Sequence, residues 1–521
     1  MQLPSFLSLN KKKILPFIVC FCALFYLAFL LSSTQADVFF SGDGGMKYLI
    51  INQIKAGKGF MYMHLDQPEW VRNVWVNGYF PFHDPFLYPS PKGSLFSFPP
   101  YFQLVSAFFY ARFGYWGLYI LPVISTVLLW SFLVVLLRRC GITTSKIVLA
   151  IFILVFCSPL TLYGATYWEH MPAVLLLFGG VVCLTAAPAG AGMGFLLGLC
   201  SGLAVFLRPE ALVLNGLYAA GAGVMYWVKR RAGDKRLGAS EGAPVGDPVS
   251  AAVYPAFIAG IGVPVVGFFI ANYMLFGSVL GVHSYQVLRD RSFVHELLRG
   301  GKNFFVINIL SVRYFPFVLL LIPVLYRIWK RGLRPGWPVL LLSVIVVIFC
   351  GISPFLVPNE GGRQWGARYF LPVVPMVIVL ILLVDKQMAG GGWRWPGWAA
   401  PLMLMVTGYA FFLNTVLGGE YELRRGNQQR VKPALEYVRA QPEQVIVAGS
   451  EYIPMEMAAD FSKRYFFWAE SDSSFQRLVP LLKNNGVREC LYVSEEDRWP
   501  VSGKGGLVKK GNYYFVRFVI P

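Results

Sequence analysis

The sequence predicts an all-α polytopic membrane protein of about eleven spanning helices, followed by a small C-terminal α/β domain outside the cytoplasm. Three observations carry this reading. Hydrophobic residues make up 56% of the 521 residues and charged residues only 14%, where soluble domains carry about 25% charged residues. Apolar runs long enough to span a bilayer recur as far as residue 417, separated by short polar breaks. Beyond residue 418 charges of both signs mix and the apolar runs shorten to strand length. A soluble protein of this length would gather the apolar material into one core, and single cores stop growing well below this size.

The runs that read as spans are residues 14–31, 117–137, 147–163, 172–187, 193–207, 211–228, 253–276, 305–326, 338–353, 369–384 and 398–417. The first follows Lys11–Lys13, as a signal peptide would, but it is longer than a typical signal core and reads as a retained span. Orientation follows from the basic residues. With Lys11–Lys13 in the cytoplasm, the breaks at 138–146, 229–236, 327–334 and 386–394 all fall on the cytoplasmic side. The formal charge of +19 is therefore the positive-inside pattern and not a nucleic-acid surface. The same parity sends the first loop 32–115 outward, with the 164–170, 277–303 and 354–368 breaks and everything from 418 onward.

The domain division is a transmembrane domain over 1–417, its first outer loop carrying amphipathic helices, and an α/β domain over 418–521. In the second, runs at 445–448, 465–468, 490–493 and 514–520 read as strands. Residues 433–440 and 475–484 read as helices, the latter stopped by Asn485-Gly486.

Charges are scarce in the membrane part, and its outer segments hold most of the acidic ones. None falls at a span centre, where proton-driven transporters place carboxylates. Asp43 follows the first span in Ser41-Gly42-Asp43-Gly44-Gly45-Met46-Lys47. The flanking glycines either open the backbone to a ligand, or Asp43 stabilises the start of the helix that follows. That helix, about 46–55, suits the outer leaflet surface. Glu169 and His170 occupy a tight break ahead of Pro172, beside Tyr167 and Trp168, which read otherwise as an interfacial belt. Arg208 either binds a phosphate bidentately or pairs with Glu210. Arg313 reads as embedded or interfacial, and Arg368 ends the last outer break. His83 and Asp84 lie in an aromatic, proline-rich stretch, 78–100, that suits a floor for a sugar or a lipid, or an ordered interfacial loop. The eight cysteines form no pairing framework, and the five histidines make no zinc motif.

Four segments in this order carry a resemblance: Gly42-Asp43-Gly44-Gly45-Met46-Lys47-Tyr48, Phe98-Pro99-Pro100-Tyr101-Phe102-Gln103-Leu104, Tyr167-Trp168-Glu169-His170-Met171-Pro172-Ala173 and Ala367-Arg368-Tyr369-Phe370-Leu371-Pro372. Together they resemble the GT-C membrane glycosyltransferases, in the branch of protein O-mannosyltransferases and lipid A aminoarabinose transferase, over roughly the first 415 residues. The resemblance implies a polyprenyl-phosphate sugar donor used on the outer face. It implies Asp43 as the catalytic carboxylate, Glu169 as the second acidic group, and Arg208 and Arg368 as phosphate contacts. Lys47, His83, Asp84, His170, Glu210 and Arg313 are the remaining candidate substrate contacts. Asp43 lacks the adjacent acidic residue of some relatives, so no metal ligand set and no cofactor is assigned, and a divalent cation stays open without being indicated. The family further implies a glycan, lipid or protein acceptor and contact with membrane lipids; the charge pattern speaks against nucleic acid, and one direct displacement at the anomeric carbon would invert it. The family places the protein in a bacterial inner membrane with the active site and C-terminal domain in the periplasm. The rival functions are a transporter or flippase for lipid-linked saccharides, and a non-catalytic subunit of a glycan assembly complex.

Overall fold

The computed structural model describes residues 11–39, 41–64, 66–83, 86–90, 93–186, 190–236, 251–282, 293–322, 336–357, 359–361, 365–390, 399–496 and 506–521. Asp84 lies outside the described residues. Internal packing divides the chain into two compact units. One comprises Met1–Ala28, Leu121–Ala165 and Glu169–Gly419, the other Phe29–Ile120, Thr166–Trp168 and Glu420–Pro521. This differs from a linear division at 417, because the first loop packs with the C-terminal segment.

The first eleven helices in chain order are α1 (Lys11–Ser32), α2 (Gly42–Lys55), α3 (Glu69–Val74), α4 (Tyr101–Phe113), α5 (Gly117–Arg139), α6 (Thr144–Phe156), α7 (Leu160–Gly164), α8 (His170–Ala186), α9 (Ala191–Leu207), α10 (Ala211–Arg236) and α11 (Val253–Phe276). Six stretches among the described residues are long and apolar enough to cross a membrane: Leu15–Ser32, Tyr101–Arg139, Ala211–Arg231, Val253–Phe276, Trp337–Leu356 and Ala399–Ala440. Helices α6, α8 and α9 are shorter and equally apolar. The chain is an integral membrane protein.

Most spans stand where the apolar runs place them, and two do not. The run 147–163 is broken, α6 ending at Phe156 and α7 starting after Pro159. Proline disfavours helical backbone in the residue before it, and the Ser158 hydroxyl turns back to the Leu154 carbonyl. The helix Phe293–Tyr314 begins before the apolar run at 305, because its polar first turns masked it.

The membrane unit gains close packing from glycine. Along α9, Gly194, Gly198 and Gly202 recur every fourth residue and face α11. A Cβ added at these positions would lie 2.5, 2.1 and 2.7 Å from the carbonyl oxygens of Val253, Phe257 and Ile261. Small residues at this spacing let helix backbones approach where lipid provides no hydrophobic drive. At one end of this unit Lys146 pairs with Asp385, and Lys386 Nζ donates to the Cys140 carbonyl at 2.6 Å. Two breaks read as sharing the cytoplasmic side thus meet at one end.

The second unit holds a mixed five-stranded sheet. Its strands are β3 (Val445–Ala448), β4 (Tyr465–Trp468), β5 (Glu489–Ser494), β6 (Val508–Lys510) and β7 (Tyr513–Val519), in the order β4-β3-β5-β7-β6. Strand β3 is parallel to both neighbours and buried throughout, as a wholly apolar Val-Ile-Val-Ala strand should be. Helices Lys432–Ala440 and Asp472–Asn484 accompany it, the second capped by the Ser471 hydroxyl and ended near Gly486, whose φ is 75°. The aromatic stretch 78–100 contributes a hairpin, β1 (Leu87–Ser90) with β2 (Gly93–Phe96).

Residues of the first loop and of the sheet share one apolar core, from Met46, Ile50 and Trp75 to Val447, Phe466 and Phe475. Polar bonds tie them: Trp75 Nε1 donates to the Phe466 carbonyl at 2.8 Å, and Gln67 Nε2 to that of Phe461 at 3.0 Å. Arg439 pairs with Asp460 at 2.8 Å and with Asp37 at 3.1 Å. Helix α2 is accordingly buried on most of its surface and packs on α4 and on the short helix Tyr452–Glu456. It is a core helix of this unit, not one lying on a leaflet.

Candidate functional site

In the membrane unit a cluster of polar groups forms where α8 begins and α9 ends. Leaving α9, Arg208 takes extended backbone, which turns its guanidinium towards the first turn of α8. Arg208 Nη1 donates to Glu169 Oε1 at 3.2 Å and meets His170 Nε2 at 3.0 Å, while Nη2 donates to Glu210 Oε1. Glu169 and His170 are buried. Desolvated carboxylates are tolerable here because one guanidinium serves both.

Arg368 reaches the same place from the short 3₁₀ turn Arg368–Phe370. The guanidinium carbons of Arg208 and Arg368 lie 5.4 and 5.3 Å from the centre of the Tyr369 ring, whose electron-rich face favours cations. Arg368 Nη2 donates to the Tyr369 hydroxyl at 3.4 Å, and the Tyr163 and His170 rings stand 5.1 Å apart. A cleft opens between the two arginines, His170 and Glu210, with Val174, Leu177, Leu214 and Phe349 among its apolar walls. It sets two guanidinium groups against an apolar wall, with a cavity of about 20 Å³ between them, and guanidinium is the group suited to a phosphate. Among the described residues no three His, Cys, Asp or Glu side chains group as metal ligands.

The structure therefore unites Glu169, His170, Arg208, Glu210 and Arg368. Arg313 belongs to the same unit but is exposed on the last turn of Phe293–Tyr314, its guanidinium 5.4 Å from the Tyr314 ring and away from the cleft lining. Tyr167 and Trp168 are buried and form no interfacial belt. The sequence reading missed Tyr369, although it adjoins Arg368 in the Ala-Arg-Tyr-Phe segment.

Asp43, Lys47 and His83 belong to the other unit. Asp43 is half-buried in the first turn of α2, and Lys47, one turn on, is buried with its Nζ 5.2 Å from the centre of the Phe98 ring. The glycines around Asp43 serve packing. A Cβ at Gly45 would fall 1.8 Å from the Met455 carbonyl oxygen, and one at Gly42 3.2 Å from Met455 Cβ. Near Asp43 stands Tyr452, whose hydroxyl is pushed up by burial and then by Glu451, Glu495 and Asp43. His83 packs on Trp468 with ring centres 4.0 Å apart.

No family model matches this sequence, and no curated protein matches it significantly. Solved structures do match its fold. The crystal structure of ArnT from Cupriavidus metallidurans bound to undecaprenyl phosphate has a TM-score of 0.52 and 13% identity, over 96% of this chain and 98% of that one. The same protein in the apo state gives 0.51 and 12%, over 96% and 97%. The chain has a GT-C-like fold. The apo Archaeoglobus fulgidus oligosaccharyltransferase is a more distant match, with a TM-score of 0.47 and 14% identity over 94% of this chain and 70% of that one. Among the described residues, the polar cluster at the α8–α9 end is the candidate ligand site of the membrane unit.

Proposed function

We propose that the chain is a membrane glycosyltransferase that moves a sugar from a polyprenyl-phosphate donor to a hydroxyl acceptor on the periplasmic face of a bacterial inner membrane. The observation that carries this is the convergence of Arg208 and Arg368 on an apolar cleft, in a fold shared with a protein solved with undecaprenyl phosphate bound.

The chemistry needs two things from the protein. As the acceptor oxygen attacks the anomeric carbon, the bond to the phosphate oxygen breaks and the phosphate leaves with an added negative charge. Preplaced cations stabilise that charge most where water is excluded. Arg368 and Arg208 are assigned to it, with Glu169 and Glu210 holding the Arg208 fork in place. The acceptor must also lose its proton to a base. Asp43 is assigned that role by the resemblance, and a single direct displacement would invert the anomeric centre.

The test is sugar transfer by the full chain in proteoliposomes, from radiolabelled polyprenyl-phosphate sugars to cell-envelope acceptors. Transfer is expected, with loss in Asp43→Asn at unchanged thermal stability and loss in Glu169→Gln at a temperature where that variant is still folded. Full transfer by both variants would overturn the residue assignment. Movement of donor lipid across the bilayer without transfer would favour the flippase.

A further inference from the structure

We infer that the C-terminal segment lines Asp43 with a saccharide-binding surface centred on Tyr452, so that the acceptor is a carbohydrate hydroxyl and not a protein side chain. This rests on the transferase reading for its role, though the surface itself is tested without it. Helix α2 and the helix Tyr452–Glu456 are locked together by the Gly45–Met455 contact, where not even a methyl group fits. That contact fixes Tyr452 relative to Asp43.

Around them runs a chain of aromatic rings. Tyr452 meets Phe86 edge-on at 6.1 Å, and Phe86 stacks with Phe98 at 6.5 Å, the ring beneath the Lys47 ammonium. Tyr452 keeps 45% of its surface exposed despite these contacts. Glu451 shares a hydrogen bond with Tyr452, and Glu495 and Asp43 act on it electrostatically. An open aromatic face offers a platform for the C–H face of a pyranose, and surrounding carboxylates accept hydrogen bonds from its hydroxyls. The three carboxylates, Asp43, Glu451 and Glu495, outnumber the two cations beside them, Lys47 over Phe98 and Arg430 at 3.8 Å from Glu495, so the surface favours a sugar that is neutral or carries an amine.

The experiment presents the detergent-solubilised full chain to an array of immobilised neutral, amino- and phosphorylated oligosaccharides and Ser/Thr-rich peptides, with no donor present. Binding to neutral or amino-oligosaccharides is expected, about tenfold weaker in Tyr452→Ala and within threefold of wild type in Tyr452→Phe. Thermal melting of each variant checks that it folds. Preference for peptides or phosphorylated glycans, no binding by the wild type, or equal binding by Tyr452→Ala would each overturn the proposal. Because no donor is present, glycan binding can hold while transfer fails, and transfer can occur while binding ignores Tyr452.

Discussion

Replacing Gly45 by alanine inserts one methyl group where the structure has no room for it. The added carbon would sit 1.8 Å from the Met455 carbonyl oxygen and 2.9 Å from its carbonyl carbon. Carbon and oxygen approach no closer than about 3.3 Å even in weak hydrogen bonds, so α2 must retreat by roughly 1.5 Å. The obstacle is backbone, which cannot rotate aside. Overpacking of this kind costs about 1–3 kcal/mol, occasionally more, or a fall of about 2–12 °C in the melting of this unit at about 2–4 °C per kcal/mol. Asp43 rides on the same helix turn, and a misplacement of about 1 Å costs roughly 100-fold in rate. Gly42→Ala meets only side-chain atoms at 3.2 Å and should do less. Gly223→Ala on α10 meets nothing within 4 Å and serves as the control, with a gain of up to about 1 kcal/mol from helix propensity. The assay is thermal melting in detergent paired with transfer in proteoliposomes. Gly45→Ala melting within about 1 °C of wild type, below the smallest shift expected from a 1 kcal/mol loss, with unchanged transfer, would refute the packing argument.

Three further outcomes are expected. Arg208→Met removes the cation that serves the buried Glu169 and the half-buried Glu210 and should destabilise the membrane unit by about 3 kcal/mol; the added change Glu169→Gln should recover part of this, and strictly additive losses would contradict the coupling. Burial pushes the Glu456 carboxyl up to about 7, although Arg430 donates to it at 2.6 Å. Between about pH 4.5 and 7 the folded chain therefore holds a proton that the unfolded chain has released. Stability should fall as pH rises through that window, and melts of Glu456→Gln should lack that component. For sidedness, cysteines at positions 302 and 360, whose native Lys302 and Glu360 pair at 3.1 Å, should label from one compartment and a cysteine at 386 from the other. Labelling of all three from one side would break the topology.

The fold was largely legible because membrane helices announce themselves by length and composition. The strands at 445, 465, 490 and 514 were equally plain, since β3 and β5 are buried apolar runs. The exposed β6, with Lys509 and Lys510, left no apolar signal. Of the site, the Arg208–Glu210 pair was readable because its members are two residues apart. The approach of Glu169 and His170 to Arg208 was not, because it depends on how α8 and α9 pack. The packing of Gly42 and Gly45 was not readable for the same reason. Their partner, Met455, is some 410 residues away in sequence, and no local pattern connects the two. The glycine row along α9 was visible in sequence, and its meaning needed the facing backbone of α11.

The donor phosphate supplies the most direct measurement. The purified chain is titrated with a short polyprenyl phosphate carrying no sugar, and binding is followed calorimetrically in detergent. Wild type should bind, and Arg368→Met should weaken binding by about 10- to 100-fold, the loss expected for a charge-assisted contact. Equal affinity in wild type and Arg368→Met would mean that the phosphate does not dock at this cleft.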